Sequence, residues 1–411
     1  MTGSGTTVLT NCSVIDVAAE KATADRGVWI AHRRLREIGP ADDVLADALA
    51  DDPGVNVIDL DGAFLLPGLM NMHTHLGLTY TGSEPDRSPA ARALRMAANA
   101  LWSVRAGVTT IRLLGEHDGT DFDLRDAIRM GRHRGPTIIT AGRPLCCTGG
   151  HGSGNGPSLE LDGPAEFARG ARTQIALGAD LIKICISGGI GGIHESIFHS
   201  QMLPEEVTAV VTVAHGWNRL VTAHAGPAAA IDEALDCGLD GVEHGYALDD
   251  AVIAKMVALG TWLVPTLAVT SGEEFYKRHG APSWILDKVR QAAEAHAAGI
   301  RAAIRAGARI ALGTDMLPFE ELDGTTATVR ELELLVEAGL TPGAALRSAT
   351  CVAAEYAGLA HDVGTIEAGK RADLIAVALN PLVNISHMRE LTFVMKDGEP
   401  NTPAPEGTRS Q

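Results

Sequence analysis

Residues 64–75 read Phe64-Leu65-Leu66-Pro67-Gly68-Leu69-Met70-Asn71-Met72-His73-Thr74-His75, an apolar run that ends in two imidazoles. A short apolar run bounded by turn residues is a buried β-strand. Strand side chains alternate, so His73 and His75 point to the same side. Starting with 66–75, eight runs of this kind can be counted: 108–114, 137–141, 181–187, 220–225, 241–244, 262–268 and 309–314 follow. Between them fall helix candidates at 90–106, 164–177, 204–215, 228–237 and 285–306. This alternation predicts an α/β chain with a parallel sheet. Eight strands favour closure into a (β/α)8 TIM barrel, expected over residues 65–358.

Outward from the barrel the texture changes. Short β-type runs at 8–16, 27–31, 35–39 and 57–60, with one helical stretch at 42–49, make residues 1–64 part of a small sheet domain. A helical stretch at 341–358 is followed by strand runs at 364–377 and 393–398, so residues 359–411 supply the other part of a β-sandwich-like domain. The segment 399–411, rich in Pro, Thr, Gly and Ser, is expected to be mobile. With 34 Lys and Arg against 51 Asp and Glu, the net charge of −17 repels phosphate backbones and anionic lipid. Nucleic acid and membrane are therefore not expected partners. No leader-like start and no long apolar run is read, which makes the cytoplasm the expected location. Six scattered cysteines without Cys-x-x-Cys spacing read as free thiols, and a Cys-ligated zinc is not expected.

An isolated His-x-His pair is commonplace. Here Lys183, His224, His244 and Asp315 stand at the ends of the fourth, fifth, sixth and eighth runs. Parallel barrel strands bring their C-terminal ends to one face, where barrel enzymes carry their sites. Nitrogen and carboxylate donors gathered there make a metal site. Lys183, inside Leu181-Ile182-Lys183-Ile184-Cys185, must be paired, snorkel or lose its charge. A neutral amine can take up carbon dioxide to give a carbamate whose two oxygens can bridge two cations. Asp315 has the residue type of a helix N-cap. Beside a metal it also suits the handling of a water proton.

The chain resembles the amidohydrolase superfamily over nearly its whole length, from Phe64–His75 to Gly364-Thr365-Ile366-Glu367-Ala368-Gly369-Lys370-Arg371-Ala372-Asp373-Leu374. The resemblance implies that His73, His75 and Asp315 hold a buried divalent metal, that His224 and His244 hold an outer one, and that Lys183, as N6-carboxylysine, bridges them. Zinc is the expected metal, and a hydroxide between the metals the expected nucleophile. The segments Ile182-Lys183-Ile184, Thr222-Ala223-His224-Ala225 and Val242-Glu243-His244-Gly245-Tyr246 look like those of Xaa-Pro dipeptidases, carboxypeptidase-like enzymes and ochratoxin-cleaving amidases. That likeness implies cleavage of the amide of a dipeptide or N-acyl amino acid, with His151 and Tyr246 contacting the substrate through its carboxylate or scissile carbonyl. Opening of a cyclic amide, or cleavage of a phenylurea or carbamate, is the alternative. The partner expected is a small, dipeptide-like molecule, and the assembly a homo-oligomer. Two departures stand out. Leu113 follows Arg112, where relatives carry an acidic residue. His224 is not followed by the glutamate of deaminases, which disfavours deamination.

Other features carry no assignment. His194 and His199 follow the glycine-rich turn 188–192, which suits either a lid or a solvated loop. Cys146 and Cys147 fit a pocket wall or small buried thiols. Glu331, Glu333 and Glu337 read as a solvated helix face.

Overall fold

The structure is a computed structural model that describes residues 6–402 other than 78, 80–85, 87 and 155. Most of the tail expected to be mobile, 403–411, lies outside the described residues. The chain forms two compact units: Met72–Ala100 with Ile111–Leu317, and Met1–Asn71 with Leu101–Thr110 and Pro318–Gln411.

In the first unit the strands Ile182–Cys185, Val221–Pro227, Gly241–Ala247, Trp262–Val264 and Arg309–Ile310 pair in parallel in that order. The strands Leu69–Thr74, Val108–Leu113 and Thr137–Thr140 make a second sheet, of which residues 72–74, 111–113 and 137–140 belong to this unit. Backbone bonds link the two sheets at both ends: Asp180 N donates to Thr140 O at 2.8 Å, and Met72 N to Leu312 O at 2.7 Å. The fold is thus α/β and TIM-barrel-like. Ile182–Cys185 is buried at every position, as a strand covered on both faces must be. Helices hand over to the next strand through left-handed glycines, for example Gly178 (φ 99°) after Gly163–Ala176.

The seventh strand is shorter than the sequence predicts. It stops at Val264, because Pro265 has no N–H for a ladder and Thr266 sits at φ 53°, from which the helix Leu267–Ser271 starts. The eighth strand is followed by Gly313, where a Cβ would lie 2.4 Å from Val264 Cγ1 and 2.7 Å from His73 N. Gly313→Ala is therefore expected to destabilise the fold by about 1–3 kcal/mol through overpacking. A urea midpoint equal to wild type would contradict this packing.

In the second unit strands from the two ends of the chain share one eight-stranded sheet. Its order is Glu399–Asn401, Leu391–Lys396, Leu374–Val377, Phe64–Pro67, Thr6–Asp16, Lys21–Ala31 and Arg34–Pro40, with Asn56–Asp59 also paired to Thr6–Asp16. The period of two sorts its faces. Val8 and Trp29 pack with Val44 and Ala48 of the helix Ala41–Asp51, while Leu9, Val28 and Ile30 pack with Leu65, Leu374 and Met395. Three expectations need correction here. Residues 399–401 are an edge strand paired with 394–396, not mobile chain. The helix expected at 341–358 is two, Pro342–Ser348 and Cys351–Tyr356, broken at the non-helical Thr350. Glu331 and Glu333 are buried, not solvated, and Arg389, 56 positions on, pairs with Glu333 at 2.7 Å. Among the described residues, no helix is long and apolar enough to cross a membrane.

Candidate active site

One cavity of about 820 Å³ lies in the first unit, lined by His73, His75, Lys183, His224, His244 and Asp315, together with His151 and Tyr246. Each of the six candidate ligands sits in or just beyond the strand where the sequence places it. His73 is in Leu69–Thr74, Lys183 in Ile182–Cys185, His224 in Val221–Pro227 and His244 in Gly241–Ala247. Asp315 follows Arg309–Ile310 by five residues.

The convergence has a clear local cause. His73 and His75 both reach Asp315 Oδ1 through Nε2, at 3.2 and 2.9 Å, and His244 Nε2 lies 4.0 Å from Oδ2. The other nitrogen of each ring is anchored. His75 Nδ1–H donates to Gly115 O at 2.9 Å, His244 Nδ1 shares a hydrogen bond with Thr266 Oγ1 at 2.7 Å, and His73 Nδ1 meets Glu243 Oε2 at 2.9 Å. Three imidazoles held by Nδ1 and offering Nε2 to one carboxylate is the arrangement by which outer partners orient metal ligands. Asp315 and His244 hold left-handed backbone, φ 56° and 68°, and Asp315 N donates to His73 O at 2.7 Å. Sparsely populated backbone of this kind persists where surrounding contacts over-determine it.

Among the described residues, the donor atoms of His73, His75 and Asp315 all lie within 4.8 Å of one another, close enough to share one ion. Lys183, His224 and His244 line the same cavity, and the donor atoms of His224 and His244 lie outside that cluster. The Nε2 of His224 faces Gly188 O at 3.2 Å. Among the described residues Lys183 Nζ is buried without a hydrogen-bond partner, and burial holds its pKa below the usual lysine range. Burial likewise pushes His224 and His244 well down, which favours neutral, ligating rings. Burial opposes the charge of Asp315, but the adjoining His73 and His75 hold its carboxyl well below the ordinary range.

His151 and Tyr246 frame the other side. The His151 ring stacks on His224 with centroids 4.0 Å apart, and Tyr246 stacks on His244 at 4.9 Å and 4°. Burial raises the Tyr246 phenol well above its usual value, so it keeps its proton. His194 is exposed and lines the cavity, His199 does not, and Cys146 and Cys147 stand outside the lining.

Four contributors were not assigned from sequence. Glu243, fully buried, accepts Arg112 Nη2 at 2.6 Å and Thr222 Oγ1 at 2.5 Å. Burial works against its charge, yet the Arg112 guanidinium beside it, with Lys183 and His73, holds its carboxyl down at about 2. Arg112, followed by Leu113 where relatives carry an acidic residue, pairs with a carboxylate 131 positions away. Glu116 lines the cavity, is pushed up to about 7 by burial, and accepts from Gly77 N at 3.1 Å. Thr266, after the shortened seventh strand, fixes His244.

A TIM-barrel-like unit whose strand ends gather imidazoles around one carboxylate defines a class of hydrolase, and the comparisons agree. The chain belongs to the amidohydrolase family, whose profile matches residues 64–403, and the family places it among hydrolases of amide bonds. The family is generally metal-dependent. Ochratoxinase of Aspergillus niger is 32% identical over 375 residues, covering 82% of this chain and 75% of that protein. The crystal structure of a Xaa-Pro dipeptidase with bound methionine in the active site is similar at a TM-score of 0.87 and 28% identity, covering 96% of this chain and 99% of the other. A prolidase complexed with N-methylphosphonate-L-proline is similar at a TM-score of 0.86 and 27% identity, covering 97% of this chain and 100% of the other.

Proposed function

We propose that this protein hydrolyses the amide bond of a dipeptide or N-acyl amino acid, using two divalent cations, zinc by preference. The observation that carries this reading is the set of three Nδ1-anchored imidazoles whose Nε2 atoms turn toward Asp315. Similarity to an ochratoxinase and to dipeptidases supports the choice of bond, and a cavity of about 820 Å³ has room for a dipeptide-sized molecule.

The donor set fits the metal. His73, His75 and Asp315 would hold one ion, and His224 and His244 the other. Lys183 would serve both as a carbamate: the neutral Nζ forms a bond to the carbon of carbon dioxide and releases a proton, replacing an unpartnered buried amine by two anionic oxygens. When bound, such cations lower the pKa of water to around 7 and polarise a carbonyl oxygen. The side chains then divide the work. Asp315 accepts the proton of the attacking water and delivers it to the departing nitrogen. Tyr246, kept protonated by burial, donates to the carbonyl oxygen, and His151 orients the substrate.

The test is hydrolysis of a panel of dipeptides, N-acyl amino acids, cyclic amides and phenylureas by metal-quantified protein. Turnover of a dipeptide or N-acyl amino acid is expected, with a loss of at least about 100-fold on chelation and recovery with zinc. Activity confined to cyclic amides or ureas, or indifferent to chelator, overturns the reading.

A further inference from the structure

The glycine-rich hairpin after the fourth strand has a task at the cavity wall. Ser187 and Ser200 are bridged antiparallel, Gly188 N donates to His199 O at 3.1 Å, and Gln201 N to Ile186 O at 2.8 Å, so the segment doubles back on itself. Two of its glycines lie close against the side chains they face. A Cβ on Gly189 would lie 2.2 Å from His151 Cε1, and one on Gly192 would lie 2.2 Å from Glu195 Oε1. From the helix Ser283–Arg305, Lys288 Nζ donates to Gly189 O at 3.1 Å and also to Gly192 O. The hairpin is thereby pinned with Glu195 inward: its side chain is 5% exposed and lines the cavity.

Glu195 holds one ring. His151 Nδ1 meets Glu195 Oε1 at 2.8 Å, Gln201 Nε2 donates to Glu195 Oε2 at 3.4 Å, and His151 N donates to Gln201 Oε1 at 3.0 Å. The ring lies between the Gly189 backbone and the face of His224. A carboxylate accepts only, so Nδ1 must carry the hydrogen. Among the described residues no hydrogen bond occupies Nε2, and the ring lines the cavity.

We infer that Glu195 is a positioning residue: it locks His151 as the Nδ1–H form and aims Nε2 at the substrate, making the hairpin that carries it part of the substrate site. The inference rests on the hydrolase reading for its kinetic consequence and on geometry for the rest. Freed of Glu195, the ring can turn about its bonds and lose its aim, and a misplacement of about 1 Å is enough to cost on the order of 100-fold.

The experiment is a double-mutant cycle with Glu195→Ala, His151→Ala and both together, plus Glu195→Gln, whose amide oxygen still accepts from Nδ1–H. In zinc-loaded protein, Glu195→Ala is expected to lower kcat/KM about 10- to 100-fold. The double variant should be no worse than His151→Ala alone, and Glu195→Gln should stay within about threefold of wild type. Losses that multiply, or a Glu195→Gln as impaired as Glu195→Ala, overturn the inference. The histidine 15N spectrum, with the His151 signal found by its absence in His151→Ala, reads the ring without turnover. The Nδ1–H form should be present in wild type and Glu195→Gln. An unlocked ring is expected in Glu195→Ala, and an unchanged ring there overturns the inference. If wild type turns over nothing in the panel, the hydrolase reading fails while this spectrum still decides the role of Glu195. Should Glu195→Ala not fold, Glu195→Gln decides, and a wild-type or Gln spectrum lacking Nδ1–H overturns the inference.

Discussion

Asp315→Asn is expected to fold and bind substrate but lose about 100- to 10,000-fold in kcat, the range over which a positioned proton carrier acts. The backbone argument comes first. Asp315 sits at φ 56°, a left-handed conformation that Asn tolerates as well as Asp does. Its N–H bond to His73 O is untouched by the substitution. What changes is charge and proton affinity. The carboxylate is held ionised by His73 and His75, at 3.2 and 2.9 Å, and an amide can neither accept a proton from water nor pass one on. Zinc content should be measured alongside, at saturating zinc, because Asp315 is also proposed as a ligand. A wild-type kcat in Asp315→Asn would remove the carboxylate from the mechanism.

Much of this site was legible because strand periodicity and parallel topology act on it directly. His73 and His75, two apart, reach the same Asp315 oxygen, as alternation requires. Lys183 was legible as a charged residue inside an apolar run, and His224 and His244 as polar residues ending such runs. Glu243 was not. Alternation sends neighbours to opposite sides, so a glutamate beside His244 reads as facing away. The left-handed backbone at His244 departs from strand geometry, and both side chains adjoin His73: Glu243 at 2.9 Å and the His244 ring with its centroid at 5.0 Å. Arg112 and Glu333 were hidden for a different reason. Their partners, Glu243 and Arg389, are distant in sequence, and no local pattern reports such pairing. Glu195 follows a glycine-rich turn whose path is set by contacts with Lys288 and His151.

Removing Glu243 should have the largest effect on the fold, and a second substitution separates its two duties. Glu243→Ala takes the carboxylate from a guanidinium that is 2% exposed, and breaking a buried pair in this way costs about 3–5 kcal/mol. It also removes the anchor of His73 Nδ1, which should weaken zinc binding by about 10- to 100-fold. Replacing both partners, as Arg112→Met with Glu243→Leu, takes the buried charge away, and well-packed apolar substitutes for a buried pair are often neutral or stabilising. The double variant is therefore expected to regain most of the stability lost in Glu243→Ala while its zinc affinity stays low, since no carboxylate returns to His73. Urea denaturation of metal-free protein measures the first quantity and zinc titration the second. If stability and affinity recover together in the double variant, Glu243 holds the fold and not the ligand. If neither Glu243→Ala nor the double variant changes zinc affinity, His73 needs no carboxylate behind it, and the orienting role drawn from the 2.9 Å contact falls.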